Sequence, residues 1–411
     1  MRILSITAQK PNSTGSGVFL SELVKSYAAM GHEQAVIAGI APGDAPVFPD
    51  GVRFCPVTFQ TEELPFPVVG MSDEMPYLST RYCDMTPEMV QQFEAAFRKV
   101  LRELLAGWRP DVILCHHLYL LTAIVREEVT DIPVYGFCHN TDLRQMKKHG
   151  LERTRIAAAI RRLDRIFVLR QDHVAEVEAV YAAAPEKITP VGMGYNRQIF
   201  YEQPGARAGG DAQDVLDTLS KRDAPVTRPL RLIYAGKLAE KKGVMSLIRS
   251  LSKLSLPKDA LELVCAGGAG NEEEYRIIRD LAEACPYPVS FPGRLDQKTL
   301  ASYYNRSDIF VLPSFYEGIP LTVIEALACG CRVVLSDIPG VRDWLQEFVP
   351  EADIRYVTLP KLMNQDEPVP EELPAFEERL AVAIEESIAH PTGIKADVTR
   401  LSWERIAQMA L

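Results

Sequence analysis

Nowhere in the 411 residues does an apolar run approach the ~20 that a membrane-spanning helix requires. The first residues, MRILSIT, enter a strand-like pattern at once, without the cationic and apolar segments of a secretory leader, so a cytoplasmic protein is expected. Positive charge is in short supply. The chain has 45 Lys and Arg against 55 Asp and Glu, a net charge of −10, and lacks the broad basic footprint of a nucleic-acid binder. Cysteine is sparse too: eight residues stand singly except for Cys329 and Cys331, no C-x2-C spacing occurs, and most lie in apolar contexts. They read as reduced, buried thiols rather than a disulfide framework or a zinc site. What the chain does have is 47% hydrophobic residues at a mean hydropathy near zero, the balance of a globular protein. Its length exceeds what one ordinary core accommodates, and two domains of roughly 200 residues are expected.

Apolar strand-like runs alternate with helical spacing nearly end to end, which predicts an α/β fold with doubly wound parallel sheets. In the first half the strand candidates begin at Arg2, Gln34, Val52, Val112, Val134 and Arg165. In the second they begin at Arg231, Leu261, Val289, Ile309 and Arg332. Residues 201–228, rich in Gly, Ala, Asp and Pro with a weak helical patch at 214–222, read as an interdomain linker. The expected layout is a first domain over 1–200, the linker over 201–228, a second domain over 229–375, and terminal helices over 376–411.

The most informative stretch is SFYEGIPLTVIEALACG, Ser314 to Gly330. An apolar strand, IFVLP, precedes it, Pro320 stands where a helix would begin, and Glu325 is the one charged residue of the helix LTVIEALA. A lone carboxylate packed against a sheet needs a partner, since an unpaired buried charge costs roughly 3–5 kcal/mol. Glu317 lies in the loop at the carboxyl end of the strand, where open α/β sheets bind ligands. Two carboxylates around a helix N-terminus suit polyol hydroxyls and a phosphate together.

The cationic counterpart is RLIYAGKLAEKKG, in which a strand ends at Gly236 and Lys237, Lys241 and Lys242 follow before Gly243. Cations at a sheet's carboxyl edge stabilise the charge that develops on a departing diphosphate. In the first half, Gly15 and Gly17 follow the first strand and permit close backbone approach to a ligand at a helix start. The third glycine of a dinucleotide fingerprint is absent, as is an acidic residue at the end of the second strand, which argues against NAD. His116, His117 and His139 fall at the carboxyl ends of two strands, and Asp142 either orients a neighbour or caps a helix expected near Leu143. Cys115, His116, Cys138 and His139 do not converge easily on a metal, because neighbouring strand residues point to opposite faces, and no metal is expected. The positive charge between Lys147 and Arg165 reads as the solvated face of a helix, with a weak peripheral membrane contact through 147–165 as the alternative.

Residues 314–330 resemble the Glu-x7-Glu motif of retaining GT-B glycosyltransferases, most closely glycosyltransferase family 4, and the resemblance spans both halves of the chain. It implies two Rossmann-like domains facing an interdomain cleft, a nucleotide-sugar donor on the C-terminal domain and an acceptor on the N-terminal one. By that resemblance Glu317 contacts the donor sugar, Glu325 holds the ribose, and amides around Gly318, Ile319, Leu321 and Thr322 meet phosphate. Gly236 and Lys237 sit where the family carries a G-R-L pattern; lysine keeps the charge and loses the bidentate fork. Lys242, directly before Gly243, matches the family's second cation, with Lys241 its competitor. Gly15 and Gly17 match a glycine loop near the donor phosphate and acceptor, and FPGRL places Gly293, Arg294 and Leu295 beside the base, largely through backbone, with Arg294 either stacking on the base or lying at the surface.

On the acceptor side, HNTD resembles the family's H-G-T-D, with His139 near the reacting sugar, Asn140 in place of Gly, and Asp142 closing the segment. His116 fits the family position better than His117. ITPVGMGYNRQIF resembles the family's junction segment, with Gly194 and Phe200 matching and Asn196 replacing Asp, and the last helix is implied to return to the N-terminal domain. The absence of a D-x-D triplet argues against the other major glycosyltransferase architecture. The implied catalytic set is His139, Glu317, Lys237 and Lys242. Their implied reaction is front-face transfer of a hexose-type sugar with retention, in which the leaving diphosphate takes the acceptor proton and no enzyme nucleophile or cofactor takes part. A UDP-sugar is the expected donor, with GDP-mannose next, and a glycan, lipid-linked or small-molecule acceptor. The alternatives are a nucleotide-sugar epimerase of similar architecture and a non-catalytic sugar-nucleotide binder; a pyridoxal-phosphate phosphorylase would need a much longer chain.

Overall fold

The computed structural model describes residues 1–72, 75–207, 228–364 and 366–411, so the helical patch anticipated at 214–222 lies outside the described residues. Chain contacts divide the described residues into two compact units, Met1–Gly194 with Trp403–Leu411, and Tyr195–Ser402.

The first unit is built on strands β1 (Arg2–Thr7), β2 (Glu33–Ile40), β3 (Arg53–Thr58), β6 (Val112–His116), β7 (Val134–Phe137), β8 (Arg165–Val168) and β9 (Ile188–Pro190). A two-stranded ribbon, β4 (Val69–Gly70) with β5 (Thr80–Arg81), stands apart from them. The seven strands form one parallel sheet in the order β3-β2-β1-β6-β7-β8-β9. Burial on both faces explains why they read as unbroken apolar runs: every residue of β6 and seven of the eight in β2 are buried. The strand β9 was not anticipated, because ITP is three residues long and carries a proline; it survives at the sheet edge, where a missing N–H is tolerated.

Helix α1 (Gly15–Ala29) follows β1, and the Thr14 hydroxyl caps it by accepting from the Gly17 amide at 3.1 Å. Helices α2 (Pro87–Gly107), α3 (Leu120–Glu128), α4 (Thr141–Lys148), α5 (Arg153–Ile160) and α6 (Asp172–Tyr181) complete the layers. The basic stretch 147–165 is therefore not one helix but the end of α4, a turn, and α5. Part of its charge is internally neutralised. Lys147 pairs with Glu176 at 2.6 Å, and Arg155 bridges Glu94 and Glu127.

The second unit contains β10 (Leu230–Ala235), β11 (Leu261–Ala266), β12 (Val289–Gly293), β13 (Ile309–Leu312), β14 (Arg332–Ser336) and β15 (Ile354–Val357). They form a parallel sheet in the order β12-β11-β10-β13-β14-β15. Around it lie α7 (Val244–Leu251), α8 (Glu272–Ala284), α9 (Gln297–Asn305), α10 (Leu321–Ala328), α11 (Val341–Phe348) and α12 (Leu373–Ala389). The terminal helix α13 (Trp403–Met409) belongs to the first unit, where the Trp403 ring meets Phe19 edge-on at 5.1 Å. Gly194 sits against that indole so closely that a Cβ would lie 2.3 Å from it.

In each sheet the chain winds outward to one side and then returns to start the other. The reversal falls between β1 and β6 in the first unit and between β10 and β13 in the second. These are the points where open α/β sheets leave a crevice beyond the strand ends. Among the described residues no helix is long and apolar enough to cross a membrane.

Candidate active site

At the switch point of the second unit, three strand ends are laced together. The Gly236 amide donates to Ala266 O at 3.0 Å, and the Gly267 amide donates to Gly293 O at 2.9 Å. The approach is so close that a Cβ on Gly267 would lie 1.7 Å from Gly236 O. The turn that follows, Gly267 to Gly270, is a bare floor under two cations. Arg294 crosses Gly268, where a Cβ would meet its Nε at 2.4 Å, and Lys237 crosses Gly270, where a Cβ would meet its Nζ at 2.6 Å. The Tyr234 hydroxyl holds the Lys237 backbone by donating to its carbonyl at 2.6 Å. This floor was not singled out in the sequence, although the run AGGAG after an apolar strand carried the signal.

Lys242 and Glu317 meet directly. Lys242 Nζ lies 2.8 Å from Glu317 Oε1 and donates to the Tyr316 carbonyl at 3.2 Å. The backbone brings them together through Gly243, whose φ of +71° and contact with β13 exclude any side chain; a Cβ would stand 2.0 Å from Pro313 O. Lys241 points elsewhere, to Asp366 at 3.2 Å, so of the two candidate cations it is Lys242 that joins the carboxylate.

Glu325 is 8% exposed on α10, and no hydrogen bond or ion pair reaches its carboxylate among the described residues. Burial alone pushes its pKa up to about 7. Pro320 stands at the N-cap of α10 without a side-chain cap, leaving the amides of Leu321 and Thr322 at an open helix start. Gly318 is exposed with no atom within 4 Å of a would-be Cβ, whereas Ile319 and Leu295 pack against the core. These two side chains are structural, and their backbones are what remains for a ligand.

At the switch point of the first unit, Gly17 must lack a side chain because a Cβ would meet Lys10 O at 2.8 Å; Gly15 opens the helix with free space around it. Three histidines gather beside this loop. His116 Nδ1 lies 3.2 Å from His139 Nε2, and His117 Nε2 lies 3.0 Å from Ser16 Oγ. The His117 and His139 rings are 4.8 Å apart. Strand β6 ends at His116, and His117 follows it with a φ of +72°. Burial holds all three rings neutral: His139 falls to about 3, and His116 and His117 fall well below the ordinary range, with repulsion from His139 a secondary cause. Among the described residues no three His, Cys, Asp or Glu side chains are placed to hold a metal ion.

Asp142 is not the N-cap of a helix starting near Leu143. Helix α4 starts at Thr141, and its N-cap is Asn140 at φ +70°, a conformation that Asn tolerates better than most residues. Asp142 is wholly buried instead, and its carboxylate accepts from the amides of Leu118 (2.8 Å), Leu143 (3.2 Å) and His139 (3.3 Å). It ties the loop after β6 to the loop after β7 and so fixes the backbone from which His139 projects.

Comparison with known proteins finds two glycosyltransferase family models along the chain. The family model for glycosyl transferases group 1 matches residues 217–360, and that for the glycosyl transferase 4-like domain matches residues 14–194. Glycogen synthase of Mycobacterium tuberculosis is 27% identical over 358 residues, covering 83% of this chain and 79% of that protein. Among solved structures, sucrose-phosphate synthase from Thermosynechococcus elongatus aligns with a TM-score of 0.60 at 18% identity, over 100% of this chain and 97% of that one. HepE of Anabaena, solved with UDP and glucose, aligns with a TM-score of 0.58 at 14% identity, over 100% and 94%. At those identities the two structures speak for the fold.

Proposed function

We propose that this chain, which belongs to the GT-B glycosyltransferases of the family 4 type, moves a hexose-type sugar from a nucleotide diphosphate sugar to an acceptor with retention of configuration. The observation that carries the reading is the set around the second unit's switch point: Lys242 on Glu317, the open start of α10, and Glu325 buried without a protein partner one turn further along that helix. A ribose diol supplies the hydroxyl donors that Glu325 lacks. The diphosphate takes the helix amides with Lys242 and Lys237, and the sugar hydroxyls take Glu317. Charge grows on the diphosphate as the glycosidic bond breaks, so the two lysines act on the rate as well as on binding. The departing phosphate oxygen is the base for the acceptor hydroxyl, which is why no protein nucleophile is assigned.

In this reading the first unit supplies the acceptor side, and His139 is the residue that would meet the reacting sugar. A UDP-sugar is the favoured donor, with GDP-mannose next, and the UDP and glucose of HepE support the choice. The acceptor is a glycan, a lipid-linked molecule or a small molecule. Thermal shift with UDP, GDP and ADP, followed by mass spectrometry of candidate sugar nucleotides with acceptors, tests the assignment. Stabilisation by one nucleoside diphosphate and acceptor-dependent product are expected. Sugar interconversion without any acceptor would identify an epimerase, and nucleotide binding without turnover would identify a non-catalytic binder.

A further inference from the structure

The nitrogen–nitrogen contact between His116 and His139 has a directional consequence. Their rings are 13° from parallel with centroids 5.4 Å apart, while Nδ1 of one is 3.2 Å from Nε2 of the other. The centroid separation exceeds the nitrogen separation by about two ring radii, so the rings lie side by side and not face to face. The N–H and the lone pair therefore share a plane, the favoured geometry for one hydrogen bond. Phe137 stacks on His116 at 5.0 Å, and Phe19 meets His139 edge-on at 5.2 Å, which fixes both ring planes.

A neutral imidazole carries one proton, so the direction of this bond decides the tautomer of both rings. Nε2 of His116 is sealed in the interior with no hydrogen-bond partner among the described residues. Were His139 the donor, the single proton of His116 would sit on that sealed nitrogen, and orphaned buried N–H groups are rare in folded proteins. His117 shows the same preference. Ser16 donates to Gln9 Oε1 at 3.2 Å and so accepts from His117 Nε2 at 3.0 Å, which leaves His117 Nδ1 as the bare, buried nitrogen.

We propose that His116 is a positioning residue: it donates its Nδ1–H to Nε2 of His139 and thereby fixes His139 as a hydrogen-bond donor through Nδ1. Nδ1 is the ring nitrogen of His139 that no group among the described residues occupies. Resting on the glycosyltransferase reading, the inference assigns His139 a defined task. It offers an N–H to an oxygen of the reacting sugar or acceptor, and it takes no proton from the attacking hydroxyl. Asp142 complements this by holding the His139 amide, so ring and backbone are both fixed.

Long-range ¹H–¹⁵N spectra of the full chain labelled with ¹⁵N-histidine read the tautomer directly, with His139 assigned from the spectrum of His139→Gln. The expected signature is a protonated Nδ1 and a bare Nε2 at His139; the opposite pattern overturns the proposal. His116→Asn can still donate and should keep the signature, whereas His116→Asp, at a pH where its carboxyl is ionised, can only accept and should place a proton on Nε2 of His139. Transfer by His116→Asp should fall by roughly 10²-fold, with affinity for UDP unchanged. Transfer by that variant at the wild-type rate with a reversed signature would also refute the role. Should the aspartate variant not fold, the wild-type spectrum alone decides. If no sugar nucleotide supports transfer at all, the functional reading fails while the tautomer result stands independently.

Discussion

Glu325→Gln should stabilise the ligand-free protein and at the same time cripple nucleotide binding. The rise of the carboxyl pKa from the ordinary 4.5 to about 7 means that the folded protein disfavours the charged form. In free energy that is about 3 kcal/mol, at about 1.36 kcal/mol per pH unit. The sign follows from proton binding. Between pH 4.5 and about 7 the folded state holds a proton that the unfolded state has released, so stability falls as pH rises through this window. Above it the cost is fully developed; below pH 4.5 it is absent. Glutamine keeps the shape without the charge, so the variant and wild type should match near pH 4.5 and diverge to about 3 kcal/mol by pH 8. Urea midpoints across pH 4.5–8.5, read by a probe in the second unit, measure this.

Binding runs the other way. A charged carboxylate accepting from two ribose hydroxyls contributes roughly 1.5–3 kcal/mol per bond, so the variant should bind UDP at least 10-fold more weakly at pH 8. Since the carboxyl is about half protonated near pH 7, UDP binding to the wild type there should release a fraction of a proton. Calorimetry in two buffers of different ionisation enthalpy detects that release. A stability difference that stays flat with pH would refute the strained-carboxylate argument. Equal UDP affinity of the two proteins would refute the ribose assignment.

Lys242→Ala should lower kcat by roughly 10²-fold or more while changing stability by less than about 1 kcal/mol, because its pair with Glu317 is partly exposed; steady-state kinetics beside thermal unfolding separate the two effects. Gly243→Ala forces a Cβ into Pro313 O at φ +71° and should destabilise the second unit by roughly 2–4 kcal/mol, measured by urea unfolding, with UDP affinity falling as Lys242 is displaced. His139→Ala should leave UDP affinity within about twofold yet reduce transfer by roughly 10²-fold, checked by calorimetry and product formation.

The strands were legible because burial on both faces of a parallel sheet writes itself as an apolar run, and α10 because Pro320 marks its start. The Glu317 and Glu325 positions followed from the strand-turn-helix order. What escaped depended on backbone conformations that composition does not encode. A positive φ at Asn140 starts the helix at Thr141 and moves the N-cap away from Asp142. The Gly267–Gly270 floor escaped for a different reason. A glycine acquires meaning from the strand beside it, and the adjacency of β10, β11 and β12 is a fact of topology. The preference for Lys242 over Lys241 was already legible from its place directly before Gly243, and the structure pairs Lys242 with Glu317 and Lys241 with Asp366.

The two switch points solve opposite electrostatic problems. In the first unit, His116 and His117 are buried and His139 half-buried, and the three rings, held neutral by desolvation, bond only through His116 to His139 and through His117 to Ser16 among the described residues, so the network resists a change of charge. In the second, charge is retained but exchangeable. The Lys242–Glu317 pair keeps 28% and 18% of its side chains exposed, a regime in which an ion pair is worth about 1 kcal/mol or less. A diphosphate offers Lys242 a more strongly charged partner, and sugar hydroxyls offer Glu317 donors to replace the ammonium. Exchange of partners therefore costs little, while the pair keeps both side chains in place until the donor arrives. Glu325 has no such partner to exchange, so on the proposed reading the ribose contact would relieve a desolvation cost already present in the free protein.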